Sequence, residues 1–98
     1  AVGHGVVLPH ARLPGIVSPI GGFARLISPV DFDAVDEQPC DLVFMLLASD
    51  GDGADHLRAL AKVARVMRQS SIRNQLREAT TEQDIRDIFG ASVTSSAA

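Results

Sequence analysis

Residues 41–48 read DLVFMLLA, and on this stretch the choice of fold turns. Leu42 to Ala48 is an unbroken apolar run between Pro39 and Gly51. A run this short, bounded by turn formers, predicts a strand. Its continuous apolarity predicts burial on both faces, as in a central strand covered by helices. A buried turn of helix is the other reading, and the length and flanking residues count against it.

Moving toward the C-terminus, Ser49 to Asp55 (SDGDGAD) is a loop, because Gly and Asp favour turns. A helix follows with Asp55 as its N-cap. Leu57, Leu60, Ala61, Ala64 and Met67 repeat at i, i+3, i+4, i+7 and form its apolar stripe. Arg58, Lys62 and Arg65 fall on another face, which by default is simply solvated. Ser70 restarts a second helix with Ile72, Leu76 and Ala79 inward. Thr80 with Gln83 resembles a capping box and opens a third, with Ile85, Ile88 and Phe89 inward and Gly90 at its end. Residues 1–90 are expected to be one partial domain, and 91–98 (ASVTSSAA) a disordered tail.

Toward the N-terminus, Gly and Pro break the chain into short pieces. Val6-Val7-Leu8 and Phe23 to Ile27 predict strands, with Phe23, Arg25 and Ile27 on one face. The class is α/β: a mixed sheet flanked by helices.

Composition narrows the function. The 98 residues are 46% hydrophobic and 21% charged, which is globular and sized for one domain. Nine basic against twelve acidic residues give a net charge of −3, so nucleic acid is not an expected partner. No apolar run is long enough for a bilayer and no signal peptide opens the chain, so membrane insertion is not expected. The single cysteine, Cys40, forms no internal disulfide and reads as a small packed residue in a reducing cytoplasm.

The chemistry sits in Gly3–Gly15, GHGVVLPHARLPG. Pro9 stiffens the backbone entering His10. Gly3 and Gly5 lack a Cβ and permit a close approach. A neutral imidazole has one free ring lone pair, which suits attack on phosphorus without a separate base. Taken alone, a histidine in such a segment is more often structural. His4 and His10 as a metal pair would lack a third ligand nearby. His56 alone would ordinarily be a surface residue at a helix start. Asp31, Asp33, Asp36 and Glu37 lack the spacing of a calcium loop, and Asp50, Asp52 and Asp55 read as turn residues.

The stretch Gly3 to Arg12 resembles the phosphorylation-site motif of bacterial phosphotransferase-system enzyme IIA domains of the fructose, mannitol and nitrogen-regulatory type. Pro29 to Ala34, Asp36, and Pro39 to Phe44 resemble that family's middle segment. His56-Leu57 with Leu60-Ala61 resembles its helix start. The likeness runs from Ala1 to about Phe89. It implies the mannitol-type enzyme IIA fold, incomplete at the N-terminus. It implies that His10 accepts a phosphoryl group, through its ε nitrogen, from a phosphohistidine on an HPr-type carrier, with no metal ion and no cofactor. His56 would stabilise that group, and Gly3, Gly5, Pro9, Ala11 and Arg12 would surround it. The family domain has roughly a third more chain upstream, within ordinary domain sizes. That part carries a helical lead-in and an arginine that pairs with the phosphoryl group. Neither lies in this sequence, and the likeness alone does not assign that arginine's role to Arg12. Val7 stands where an alanine is usual. The expected role is a cytoplasmic phosphoryl-relay switch of the nitrogen-regulatory branch, acting on regulatory target proteins. Passing phosphate to a sugar-permease component is the alternative, and an inactive interaction module the second. An apolar face left by the upstream segment would favour a homo-oligomer.

Overall fold

Around one strand, β4 (Cys40–Ser49), the whole sheet is assembled. The structure, a computed structural model, describes residues 3–51 and 53–97, apart from the side chains of Asp55 and residues 92–97. β1 (Val6–Val7) and β2 (His10–Leu13) pair with β4 in parallel, and β3 (Ile20–Val30) pairs with it antiparallel. Leu42 is flanked by Val6 and Arg25, and Leu46 by His10 and Gly21. β1 and β2 therefore lie end to end along one side of β4, with β3 along the other. Pro9 separates the two short strands. It has no N–H to offer, yet its carbonyl still accepts from the Leu46 N–H at 2.9 Å.

Three helices follow: α1 (Gly53–Met67), α2 (Ser70–Glu78) and α3 (Glu82–Ala97). They pack on one face of the sheet. Val6, Leu8 and Leu42 meet Val66, Met67, Ile72 and Leu76 there, with Phe23, Phe44 and Phe89 stacked edge to face alongside. Burial of β4 on both faces, expected from its apolar run, is only half realised. Leu42, Leu46 and Ala48 are buried. On the alternate positions Val43 and Leu47 are half-buried and Met45 is 44% exposed, beside Ile20 at 53%. Among the described residues that second face carries only a small cluster of Val7, Ala34 and Cys40 with Val43. Burial pushes the Cys40 thiol pKa up, as for a packed cysteine.

The α1 stripe has the expected period and a different phase. Leu57 is 65% exposed and Ala61 is also outward, while His56, Leu60, Val63 and Met67 point to the core. His56 thus begins the buried stripe. Asp55 lies inside the first turn, not ahead of it, and its side chain is outside the described residues. α3 is capped one residue later than expected. Thr81 Oγ1 accepts from the Asp84 N–H (3.0 Å), and Asp84 accepts in return from the Thr81 N–H (3.2 Å). Bonds from the Thr80 N–H and hydroxyl, together with those from Thr81, hold the Asp84 carboxyl below the usual range. α3 also continues past Gly90 to Ala97, over most of the span read as a tail.

Arginines close the ends of the other helices. Arg73 is buried and donates to the Met67 and Arg68 carbonyls at the end of α1. Arg25, reaching from β3, donates to the Leu76, Arg77 and Ala79 carbonyls at the end of α2. A cation is favoured at a helix C-terminus, and both side chains satisfy carbonyls that have no partner within the helix.

Candidate functional site

His10 opens β2 at the downstream end of the parallel strands. It is exposed, and the register places it beside Leu46 on the helix face of the sheet. Its Nδ1 lies 3.0 Å from the Leu8 carbonyl oxygen. A carbonyl can only accept, so Nδ1 carries the hydrogen. The remaining nitrogen, Nε2, then holds the free lone pair. The stiff Leu8-Pro9-His10 segment sets this tautomer through a bond spanning two residues.

His56 faces it from the first turns of α1, its ring centroid 5.4 Å from that of His10 and inclined by 45°. His56 is 7% exposed, and its Nδ1 is buried with no hydrogen-bond partner. A buried polar atom without a partner costs stability, so it marks a position held for another reason. The helix N-terminus beneath it presents backbone N–H groups and a partial positive charge, which favour an anion. His10, Ala11, Arg12, Gly53, His56 and Leu57 line one open cleft of about 410 Å³.

The sequence-predicted residues separate into two groups. His10, His56, Ala11 and Arg12 share this cleft. Pro9 adjoins it and supplies the Leu46 contact already described. Gly3 and Gly5 do not belong to it. Five residues of nearly extended chain put Gly5 roughly 16 Å from His10. There Gly3, His4 and Gly5 form a tight turn, closed by the Val6 N–H to Gly3 carbonyl bond of 3.1 Å. His4 and Gly5 both have positive φ, at 59° and 79°. A Cβ on Gly5 would lie 2.5 Å from Arg77 Nη2 and 2.9 Å from Asp41 Oδ1. The close approach that Gly5 permits is therefore to an ion pair, not to a phosphoryl group. Arg77 holds Asp41 by two bonds of 2.9 and 2.8 Å and donates a third to the His4 carbonyl. Asp41 in turn raises the Arg77 pKa.

His4 and His10 are thus at opposite ends of the strand pair. Among the described residues no three histidine, cysteine or acidic side chains converge as metal ligands. Asp31 and Asp36 instead accept from the N–H groups of Asp33 and Gln38, two residues on, as turn-forming aspartates do. Among the described residues no helix is long and apolar enough to cross a membrane. What sequence reasoning missed is Gly53, at the start of α1, against which Arg12 packs. No local signal distinguishes it from the other loop glycines.

Residues 1–91 match the family model described as phosphoenolpyruvate-dependent sugar phosphotransferase system, EIIA 2. A nitrogen regulatory protein of Bradyrhizobium diazoefficiens is 49% identical over 89 residues, covering 91% of this chain and 58% of the relative. The fructose-specific EIIA component of Haloferax volcanii is 36% identical over 92 residues, covering 94% and 60%. The crystal structure of nitrogen regulatory protein IIA-Ntr from Neisseria meningitidis superposes with a TM-score of 0.82 at 38% identity, covering 88% of this chain and 59% of that one. The chain spans about three fifths of the length of these two curated relatives.

Proposed function

Since the chain belongs to the EIIA 2 family of the phosphoenolpyruvate-dependent sugar phosphotransferase system, we propose that His10 is its phosphoryl acceptor and Nε2 the atom that carries the group. The observation behind this is the Nδ1 hydrogen bond to Leu8, which leaves Nε2 with the lone pair. A phosphohistidine on an HPr-type carrier presents its phosphorus in line with that lone pair. The new N–P bond forms as the donor's N–P bond breaks, and the electron pair returns to the donor's ring nitrogen. Nδ1 keeps its hydrogen, donated to the Leu8 carbonyl, so phosphorylated His10 is an imidazolium. A donor ring protonated on its second nitrogen leaves as neutral imidazole, and no net proton transfer is then required. Positioning and charge compensation supply the catalysis.

His56 stands beside the acceptor and can donate to a phosphoryl oxygen, while the α1 N-terminus favours the added charge. Pro9 and Ala11 border the acceptor without reacting. The phosphorylated face gains close to two negative charges, enough to change which proteins bind it. A regulatory switch in the cytoplasm is the reading the similarities favour, because relatives from Bradyrhizobium and Pseudomonas, 49% and 40% identical, are nitrogen regulatory proteins. The fructose-specific relative supports the second reading, transfer onward to a permease component.

The test is incubation with phosphorylated carrier followed by intact-mass measurement. One phosphoryl group on the wild-type chain and none on His10→Ala is the expected result. Incorporation that survives the substitution would remove His10 from this role. Onward transfer to a fructose permease component would decide for the second reading.

A further inference from the structure

Arg12 is set apart from the other well-placed arginines. Arg25, Arg73 and Arg77 each donate to two or more acceptors. Arg12 lies two residues beyond His10 on β2, paired with Ala48 on the same face of the sheet. Its Nη1 sits 3.3 Å from where a Cβ on Gly53 would be, against the first residue of α1. Among the described residues it makes no hydrogen bond and no ion pair.

This position is unfavourable for a cation alone. A helix N-terminus already carries partial positive charge, and a guanidinium placed there is repelled, not attracted. The same cleft is lined by His56, a side chain more than nine-tenths buried whose Nδ1 has no partner. A cation, a helix start and an unsatisfied imidazole around one open cleft become mutually favourable when an anion with several acceptor oxygens lies between them.

We propose that Arg12 is a phosphoryl-binding residue: its guanidinium donates to the oxygens of the group carried on His10 and so sets how strongly this chain holds it. The assignment rests on the phosphorylation of His10 proposed above. Arg12 takes no part in the bond exchange. It touches the transferred group, and the glycine at position 53 leaves room for its planar head. Arginine suits the role because its fork can meet two oxygens at once.

The test uses the 98-residue chain as wild type, Arg12→Gln, Lys62→Gln and His10→Ala. Lys62 is an exposed cation elsewhere on α1, so its variant changes net charge equally. Each chain is equilibrated with phosphorylated carrier, and the phosphoryl group's partition is read by intact mass. The pH at which the bound group loses its second proton is read by phosphorus NMR. Arg12→Gln is expected to lower the partition constant about tenfold, the scale of a charge-assisted hydrogen bond. It is also expected to raise the NMR midpoint, because a guanidinium favours the dianion. Lys62→Gln should change neither. Partition and midpoint unaltered in Arg12→Gln, or an equal change in Lys62→Gln, overturn the assignment while leaving His10 phosphorylated. Labelling that persists in His10→Ala, or none on wild type, takes down both readings.

Discussion

At the Cys40 end of β4, charged side chains have found their partners. Arg77 holds Asp41 and the His4 carbonyl, Asp36 accepts from two backbone N–H groups, and Arg25 closes the end of α2 nearby. At the Ser49 end, Arg12 has no partner among the described residues, and His56 Nδ1 is buried without one. Both ends hold histidine and arginine beside glycine. What differs is saturation. Where the charged groups are paired, the cluster fastens the turn before β1 to α2. Where donors and lone pairs are left over, the chain keeps capacity for a group that arrives later.

The contrast can be broken by substitution. Gly5→Ala should have the largest effect, a loss of about 3 kcal/mol. It forces a side chain into positive φ and pushes the Arg77–Asp41 pair apart. Urea unfolding measures it, and His10 should remain phosphorylatable in the folded fraction. Arg77→Met should cost about 2 kcal/mol by the same assay, since it leaves a half-buried Asp41 carboxylate without its partner. At the other end the sign should reverse. His56→Leu replaces a buried unpartnered nitrogen with carbon and should stabilise by about 1 kcal/mol, while the fraction of His10 phosphorylated at equilibrium falls. A destabilised His56→Leu chain would mean that the imidazole has a structural partner.

The smallest effect is a pH dependence. Bonds from the His4 and Gln38 N–H groups hold the Asp36 carboxyl below its ordinary value of 3.8. A carboxyl depressed in the folded state stabilises above its unfolded pKa and loses that contribution as pH falls through the folded one. The stability difference between wild type and Asp36→Asn should therefore be full at pH 5 and shrink as pH falls below about 4. Unfolding midpoints across that interval would show it, and a constant difference would contradict it.

Much of this was legible in the sequence, for identifiable reasons. The apolar run of β4, the helix that follows and the His10 segment are strong local patterns, and the family likeness joined His10 to His56 across more than forty residues. Periodicity supplied the repeat of α1 without its phase. A stripe begun at Leu57 and one begun at His56 fit the same spacing, and only packing of the helix against Val6, Leu8 and Leu42 decides between them. The run Leu42 to Ala48 showed how apolar β4 is, not that all three helices would choose one side. Gly3 and Gly5 announced a close approach, but what approaches comes from residues 36, 41 and 77, which no local reading connects to them. The cap of α3 slipped by one residue because adjacent threonines are equally suited to it.

Pro9 has a consequence beyond the stiffness it gives His10. Among the described residues no strand pairs with the outer side of β1 and β2. An uninterrupted flank of that kind is a template on which a neighbouring molecule can add a strand, the first step toward aggregation. A residue with no amide hydrogen, placed between two strands of two and four residues, removes a rung from that ladder and leaves two segments too short to recruit a stranger. The residue that precedes His10 thereby also shortens the runs of backbone along which a further strand could pair.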